Sequence, residues 1–298
     1  MDATNQDRAP PSPAPARPTA PGEQPGRAWH AELDLAFARR GPATVLVRDR
    51  HAGPLLVQKT LHPEGESLCH AIVLHPPAGI AAGDQLTLHA AVQERAQVLL
   101  TTPGATKWYR STAAVAGCTA RLSVAAGATL EYLPREAIVF DGARASALLE
   151  VELGADAILI GWDLWCLGRT ASGEVFRHGR LQLASRVRRD GRLCWEERCD
   201  LDAGSALLHS PAGLAGQPVF GTLFAAGPEA PRSLVDACRA LPFGQRGQGA
   251  LTQLPGVLLA RYLGPSTEEA FAWFTALWTL LRPLYVGREA VRPRIWAV

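Results

Sequence analysis

The sequence contains no segment with the length and composition needed to cross a membrane. Its longest apolar run, residues 270–281, spans about a dozen positions and includes two threonines. A membrane-spanning helix needs about 20 mostly apolar residues. The N-terminal stretch MDATNQDRAP also lacks the apolar core of a secretory signal peptide. We therefore expect a cytoplasmic protein that does not act at a membrane.

Several motifs of enzymes and metal proteins are also absent. The six cysteines form no C-x-x-C pair and there is no H-E-x-x-H, so a zinc site is unsupported and the thiols are expected to be reduced and buried. The chain has neither a G-x-x-x-x-G-K-[ST] phosphate loop nor a G-x-S-x-G nucleophile elbow. Its 30 basic and 28 acidic residues leave a net charge of +2, which argues against nucleic acid as the main partner.

The first 28 residues differ in composition from the rest of the chain. They hold seven prolines and no Leu, Ile, Val, Phe, Tyr or Trp. Such a segment cannot bury enough apolar surface to offset the entropy lost on ordering. We predict a disordered tail over residues 1–28 and one domain over residues 29–298.

Short β-type runs, punctuated by Gly and Pro, dominate the sequence as far as about residue 263. Helical periods are missing between these runs, which excludes alternating βα units. Asp190-Gly191 between strands 181–189 and 192–199 predicts a hairpin with a type I′ turn. Many short strands at close spacing favour a sandwich, a barrel or a coiled β architecture, and no internal repeat is visible. The other predicted strands are 43–48, 55–59, 69–74, 86–92, 98–101, 119–124, 129–133, 137–140 and 148–153.

Helix is predicted only near the C-terminus. Residues 231–241 are expected to form a short helix. The capping box Ser266-Thr-Glu-Glu269 predicts the start of a second helix, which we expect to end before Pro283. Apolar residues nearly surround the axis of this second helix, so we expect it to be buried against a sheet or a partner. The sequence thus predicts a mainly β domain with a short helix and a C-terminal helix.

Three carboxylates occur where the strand pattern predicts an apolar surface. Asp163 lies in the run 158–167, which is apolar on both faces, and Glu131 lies between Leu130 and Tyr132. Because side chains alternate along a strand, Glu197 is predicted to share one face with Leu193, Trp195 and Cys199. A buried carboxylate is costly unless it is paired, hydrogen-bonded or protonated. These residues are therefore arginine-paired structural groups, acid–base catalysts, or oxygen ligands for a cation.

Two ordered loops and a group of histidines are further candidates. The loop 74–84 is rich in Gly and Pro and ends at Asp84. Loop 101–110 presents the cluster Lys107, Trp108, Tyr109 and Arg110, which tight-turn chemistry alone does not explain, so we predict a partner-binding role for it. Four histidines either form a soft-metal site or are separate surface and loop residues, and these are His62, His70, His75 and His89.

Six segments of the sequence resemble, in order and without a large gap, the urease accessory protein UreD family, also called UreH. The resemblance extends from about residue 29 to the C-terminus. Six matches in the right order make a chance similarity very improbable. The matching segments are His75–Asp84, Thr102–Ser111, Leu130–Phe140, Gly161–Arg169, Gly173–Gly179 and Pro293–Trp296.

The resemblance implies a maturation chaperone that is not an enzyme. Members of this family join the accessory protein UreF and the GTPase UreG on apo-urease, where nickel is inserted into the urease active site. UreF is expected to be the direct partner, in a dimer of heterodimers. The implied fold is a coiled, β-helix-like stack of strands with two helices, and no tightly bound cofactor is implied.

The family resemblance also assigns roles to the acidic residues. Asp84, Asp163 and Glu197 match acidic positions implicated in passing nickel through an internal channel, although this chain has Ala82-Gly83-Asp84 where the family has Gly-Gly-Asp. Glu131 and His75 are further candidates for this path. Spaced carboxylates suit a route on which the ion must both enter and leave. Two alternatives are a scaffold that never contacts metal, and a hydrolase that uses Asp163 and Glu197 as its acid and base.

Overall fold

A computed structural model describes residues 28–112 and 114–297. The tail predicted for residues 1–28 lies outside these residues, apart from Ala28. The strands are β1 His30–Arg40, β2 Ala43–Ala52, β3 Leu56–Leu61, β4 Leu68–Leu74, β5 Gly79–Ile80, β6 Gln85–Val92, β7 Gln97–Thr101, β8 Thr106–Trp108, β9 Ala116–Val124, β10 Thr129–Leu133, β11 Ala137–Val139, β12 Arg144–Leu153, β13 Ile158–Leu167, β14 Arg180–Arg189, β15 Arg192–Asp202, β16 Val219–Ala226, β17 Gln248–Leu254 and β18 Val257–Gly264. The helices are α1 Arg232–Arg239 and α2 Thr267–Val286.

The strands form two sheets that pack face to face. Sheet A has the order β15-β14-β12-β9-β6-β1-β2, and sheet B has the order β17-β18-β16-β13-β10-β7-β4-β3. The short strands β5, β8 and β11 join sheet B through the end of β13. Apolar side chains from the inner faces of both sheets make one continuous core. The expectation of a mainly β fold with coiled, stacked strands and two helices is confirmed.

The chain coils by passing repeatedly between the two sheets. A strand of sheet A leads through a tight turn into sheet B, and a longer loop returns to sheet A. The turns 93–96, 125–128 and 154–157 have the same hydrogen bond, from the last residue's N–H to the first residue's carbonyl. Successive turns also bond to one another, as from Thr129 N–H to the carbonyl of Ala96. The structure therefore contains a repeated coil that is not visible in the sequence.

The predicted hairpin is present, with one change on its second strand. Asp190 and Gly191 have φ values of 49° and 73°, and a two-residue turn with positive φ at both positions matches type I′. The β14–β15 pairing shifts register between Val187 and Arg188. Past this bulge Leu193 is 53% exposed, so its predicted place on the apolar face of β15 is wrong. A bulge adds one residue to a strand and so changes the side that a neighbouring residue faces.

The two helices cover the outer face of sheet B. Side chains on that face pack with α1 and α2 in a second core, which contains Trp162, Trp273, Phe274 and Trp278. Ser266 accepts a hydrogen bond from the N–H of Glu269, as the capping box predicts.

The predicted end of α2 before Pro283 is wrong, because the helix continues to Val286. Proline removes one backbone hydrogen bond inside a helix. The residues around it, Leu281, Arg282 and Tyr285, are nevertheless buried, and their packing keeps the last turn helical.

Candidate functional site

Strand β13 separates two environments within the molecule. Leu159, Trp165 and Leu167 face the core between the sheets, whereas Ile160 and Trp162 face the helices. Side chains alternate along a strand, so Asp163 faces the interior between sheets A and B. There it meets residues of β14 and β16 rather than the helical layer.

Asp163 and Glu197 are linked through a single threonine. The backbone N–H of Thr222 donates to Asp163 Oδ1 at 3.2 Å, and its hydroxyl donates to Glu197 Oε2 at 3.0 Å. Ser185 donates to Asp163 Oδ2 at 3.3 Å, and Arg261 Nε lies 3.3 Å from Glu197 Oε1. The two sheets thus bring together carboxylates that lie far apart in the sequence.

The register of each sheet explains this meeting. Asp163 pairs with Thr222, which pairs with Arg261 across sheet B, while Ser185 pairs with Glu197 across sheet A. The three paired residues of sheet B therefore face the two paired residues of sheet A between the sheets. The result is a polar cluster of two carboxylates and two hydroxyls that reaches the surface at Glu197 and Arg261, whose side chains are 34% and 55% exposed.

Burial and repulsion by a neighbouring carboxylate favour a proton on Asp163. Burial first, and then the Glu197 charge, raise the pKa of Asp163 from 3.8 to about 7. Burial, then the charges of Glu197 and Asp163, raise the pKa of the nearby Cys199 thiol to about 11. The Arg261 charge opposes the rise in the pKa of Asp163, and a further cation would also relieve the repulsion between the carboxylates.

Two adjoining cavities lie between Asp163 and one end of the sandwich. The larger, of about 390 Å³, has His75 and Lys107 in its wall together with apolar side chains. The smaller, of about 120 Å³, is lined by Asp163 and Ser185. Both cavities are bounded by Thr106, Cys118, Ala120, Tyr132 and Pro134. The two adjoining cavities therefore run between the sheets from the His75 region to Asp163, and we call them the cavity path.

His75 and Asp84 lie at the two ends of one loop, beside the larger cavity. His75 Nε2 is buried and has no hydrogen-bond partner among the described residues. Burial lowers the pKa of His75, against an opposing effect of the Asp84 charge. The buried Asp84 accepts hydrogen bonds from the N–H groups of Trp29 and Ala81, each at 2.8 Å. Asp84 therefore fixes the conformation of the loop and interacts electrostatically with His75.

Glu131 is not in this path. It pairs with Ile160 across sheet B and faces the helices, where Arg282 Nε donates to it at 3.0 Å and the Trp278 indole N–H at 2.6 Å. Burial raises the pKa of Glu131, although Arg282 opposes this effect. Its contacts give it a structural role in joining α2 to sheet B, and they place it apart from Asp163 and Glu197.

The cluster at residues 107–110 is divided between interior and surface. Trp108 is buried with its ring centroid 6.1 Å from that of Trp165, so the prediction that it contacts a partner is wrong. Lys107 lines the larger cavity, and the ring of Tyr109 packs edge-on against Phe140 at 5.2 Å between centroids. Only Arg110, whose side chain is 67% exposed, extends into solvent.

The other histidines do not converge. His62 bonds to the carbonyl of Thr44, His70 to Glu64, and His89 lies on the outer face of sheet A beside Arg121. Within residues 28–112 and 114–297, no three His, Cys, Asp or Glu side chains form a group that could hold a metal ion. None of the helices that the structure describes is long and apolar enough to span a membrane.

The polar partners of Asp163 and Glu197 are not among the residues that the sequence patterns single out. Ser185 and Thr222 each lie on an inward-facing position of a strand, which is a signal readable once the strand is assigned. Arg261 and Arg282 carry a similar signal, since a charged residue in an apolar segment needs a partner. The identity of those partners depends on the pairing of strands distant in the chain.

The raised pKa of Asp163 predicts a specific pH dependence of stability. The native state holds a proton that the unfolded chain releases near its normal pKa, so this group's contribution to stability falls as the pH rises from 3.8 towards about 7. Asp163→Asn removes the titration. We expect its unfolding free energy, relative to wild type, to increase from about pH 5 to about pH 8 in urea titrations. A difference that stays constant over this pH range would contradict the prediction.

Comparison with known proteins identifies the family. The family model described as "UreD urease accessory protein" matches residues 30–297. The chain is 55% identical over 271 residues to "Urease accessory protein UreD" of Dechloromonas aromatica, covering 90% of this chain and 94% of the relative. It is 52% identical over 271 residues to the protein of the same name from Pseudomonas aeruginosa, covering 91% and 95%. The chain therefore belongs to the UreD family of urease accessory proteins.

Proposed function

We propose that the protein is a urease maturation chaperone that passes nickel between its two sheets to apo-urease. It acts without catalysing a reaction and without a resident cofactor, and nickel is its cargo. The observation that carries this proposal is the pair of adjoining cavities, one lined by His75 and the other by Asp163, which lies next to Glu197. Family membership supports the maturation role, and the position of the two carboxylates supports contact with a cation.

The chemistry of the path suits a passing divalent cation. Nickel accepts nitrogen and oxygen donors, and His75 and the carboxylate pair supply these at separate points. Transfer requires that each site bind weakly enough to release the ion. In this proposal the Asp163–Glu197 pair exchanges a proton for the cation, and Thr222 and Ser185 hold the two carboxylates in place.

The proposed partners follow from the family resemblance. The chain has no phosphate loop, so nucleotide hydrolysis belongs to the GTPase UreG. We propose UreF as the direct partner, in a dimer of heterodimers that assembles on urease in the cytoplasm. Neither a membrane nor a nucleic acid has a role in this proposal.

The proposal is tested by measuring urease matured in cells with and without this chain, all other accessory proteins being present. We expect nickel-poor, inactive urease in its absence, and recovery of both properties when the chain is restored. Nickel per urease active site is measured by mass spectrometry and activity by ammonia release. Fully metallated and active urease in the absence of the chain would overturn the proposal.

A further inference from the structure

One end of the sandwich is built from the long loops that return from sheet B to sheet A, together with loop 203–218, which leads from β15 of sheet A to β16 of sheet B. These loops are joined by hydrogen bonds, from Ser111 N–H to the carbonyl of Gly142, from Gly142 N–H to His178, and from Ala203 N–H to Gly179. They therefore form one continuous surface. We call this surface the loop-end face, and its exposed members are Trp29, Arg110, Val115, Arg144, Val175, Arg177, His178 and Leu207.

The basic side chains of the loop-end face project into solvent, whereas the carboxylate that they surround is largely buried. The side chains of Arg110 and His178 are 67% and 77% exposed, whereas that of Asp141 is 15% exposed. Arg144 and Arg177 are also exposed. Together with Asp141, Arg110, Arg144 and His178 line a basin of about 410 Å³.

Asp141 holds this arrangement in place. Its Oδ1 accepts from the backbone N–H groups of Arg177 and His178 at 2.7 and 2.8 Å, and its Oδ2 lies 3.2 Å from His178 Nδ1. Arg110 Nη2 is 3.8 Å from the same oxygen. One carboxylate cannot neutralise three arginines, so the outer surface retains positive charge.

The same face exposes large apolar side chains. Trp29, Val115, Val175 and Leu207 are between 41% and 57% exposed. Trp29 and Val115 lie beside the start of β6, where Gln85 bonds to both backbones. Apolar contacts with exposed arginines nearby are typical of protein interfaces, and charges of one sign select a partner of the opposite sign.

We propose that the loop-end face is a docking surface for an acidic segment of a protein partner. The segment's carboxylates contact Arg110, Arg144 and Arg177 around the basin, while its apolar side chains cover Val175 and Leu207. This interaction is independent of nickel transfer. Its strength should fall with ionic strength, because the contributing charges are exposed.

The test is photo-crosslinking in cells that express the full chain with urease and its other accessory proteins. Val175→p-benzoylphenylalanine places the crosslinker on the loop-end face. We expect an adduct to another protein, within a peptide in which Asp and Glu outnumber Lys and Arg. Adding R110E, R144E and R177E should lower the adduct yield by about tenfold, and R110Q, R144Q and R177Q by less.

The matched control reverses three exposed arginines at the opposite end of the sandwich, R40E, R95E and R192E, and should leave the adduct yield unchanged. Urea unfolding of each purified variant shows that it folds. The proposal is overturned by a neutral or basic crosslinked peptide, by a lipid adduct, by an adduct insensitive to R110E, R144E and R177E, or by no adduct. Since urease nickel content is not measured, this result is separate from that of the proposed function.

Discussion

Replacing Arg282 by methionine is expected to lower the free energy of unfolding by roughly 3–5 kcal/mol, because it leaves buried carboxylates without their partner. The Arg282 side chain is fully buried, as is that of Glu131, and that of Glu64 is 4% exposed. Arg282 donates to Glu131 at 3.0 and 3.1 Å and to Glu64 at 2.6 and 2.8 Å. Methionine replaces the aliphatic part of arginine but donates no hydrogen bond, so both carboxylates lose the guanidinium charge and keep only the contacts from His70 to Glu64 and from Trp278 to Glu131.

Equilibrium urea unfolding measures this effect, with the exposed Arg292→Met as the control that removes an arginine outside the network. Adding Glu131→Gln to Arg282→Met should recover part of the loss, because the buried negative charge is then absent. A loss below about 1 kcal/mol for Arg282→Met is what removal of a surface ion pair would cause. Such a result would contradict the stabilising role of this buried network.

Replacing both Asp163 and Glu197 by alanine is expected to lower the nickel content of urease by about tenfold or more, the scale seen when groups that support metal binding are lost. The pair carries the negative charge at the inner end of the cavity path. Its loss should leave the fold intact, because the raised pKa of Asp163 marks a position where the charge is unfavourable. The accessory complex should therefore still assemble.

The measurement is nickel per urease together with co-purification of the accessory proteins. The control variant replaces the exposed Glu152 and Asp202 on the two strands β12 and β15 and should mature urease normally. Unchanged nickel with an intact complex would favour a scaffold that never contacts metal. Loss of the complex would instead assign the two carboxylates a structural role.

Local features of the fold could be predicted from the sequence, because their causes are local. The Asp190-Gly191 turn and the Ser266 cap depend on residues a few positions apart, and both are present. The helix end predicted before Pro283 is wrong, because burial of the surrounding side chains outweighs the backbone hydrogen bond that proline removes. Leu193 is exposed because of a bulge in the pairing of β14 with β15, and no residue of the strand predicts that bulge.

The candidate site was predictable in its residues but not in its arrangement. An apolar run around Asp163 is enough to indicate a buried carboxylate. That Glu131 faces the opposite side of the same sheet depends on the pairing of Tyr132 with Gly161 and of Glu131 with Ile160, which is fixed by the stacking of the coils. The partner of Glu131, Arg282, is 151 residues away. No local pattern connects the two.

The Arg282 network also affects how the molecule unfolds. In proteins built from stacked coils, each coil contacts mainly its neighbours, so the ends can open separately. Here Glu64 precedes β4 and Glu131 lies in β10, with β7 between these two strands. One side chain of α2 binds both carboxylates. Opening the coil that contains Glu64 or the coil that contains Glu131 therefore breaks a contact of Arg282 and disturbs the packing of α2 on the remaining coil. Amide hydrogens of β4 and β10 should consequently exchange with the same free energy of opening, as one cooperative unit.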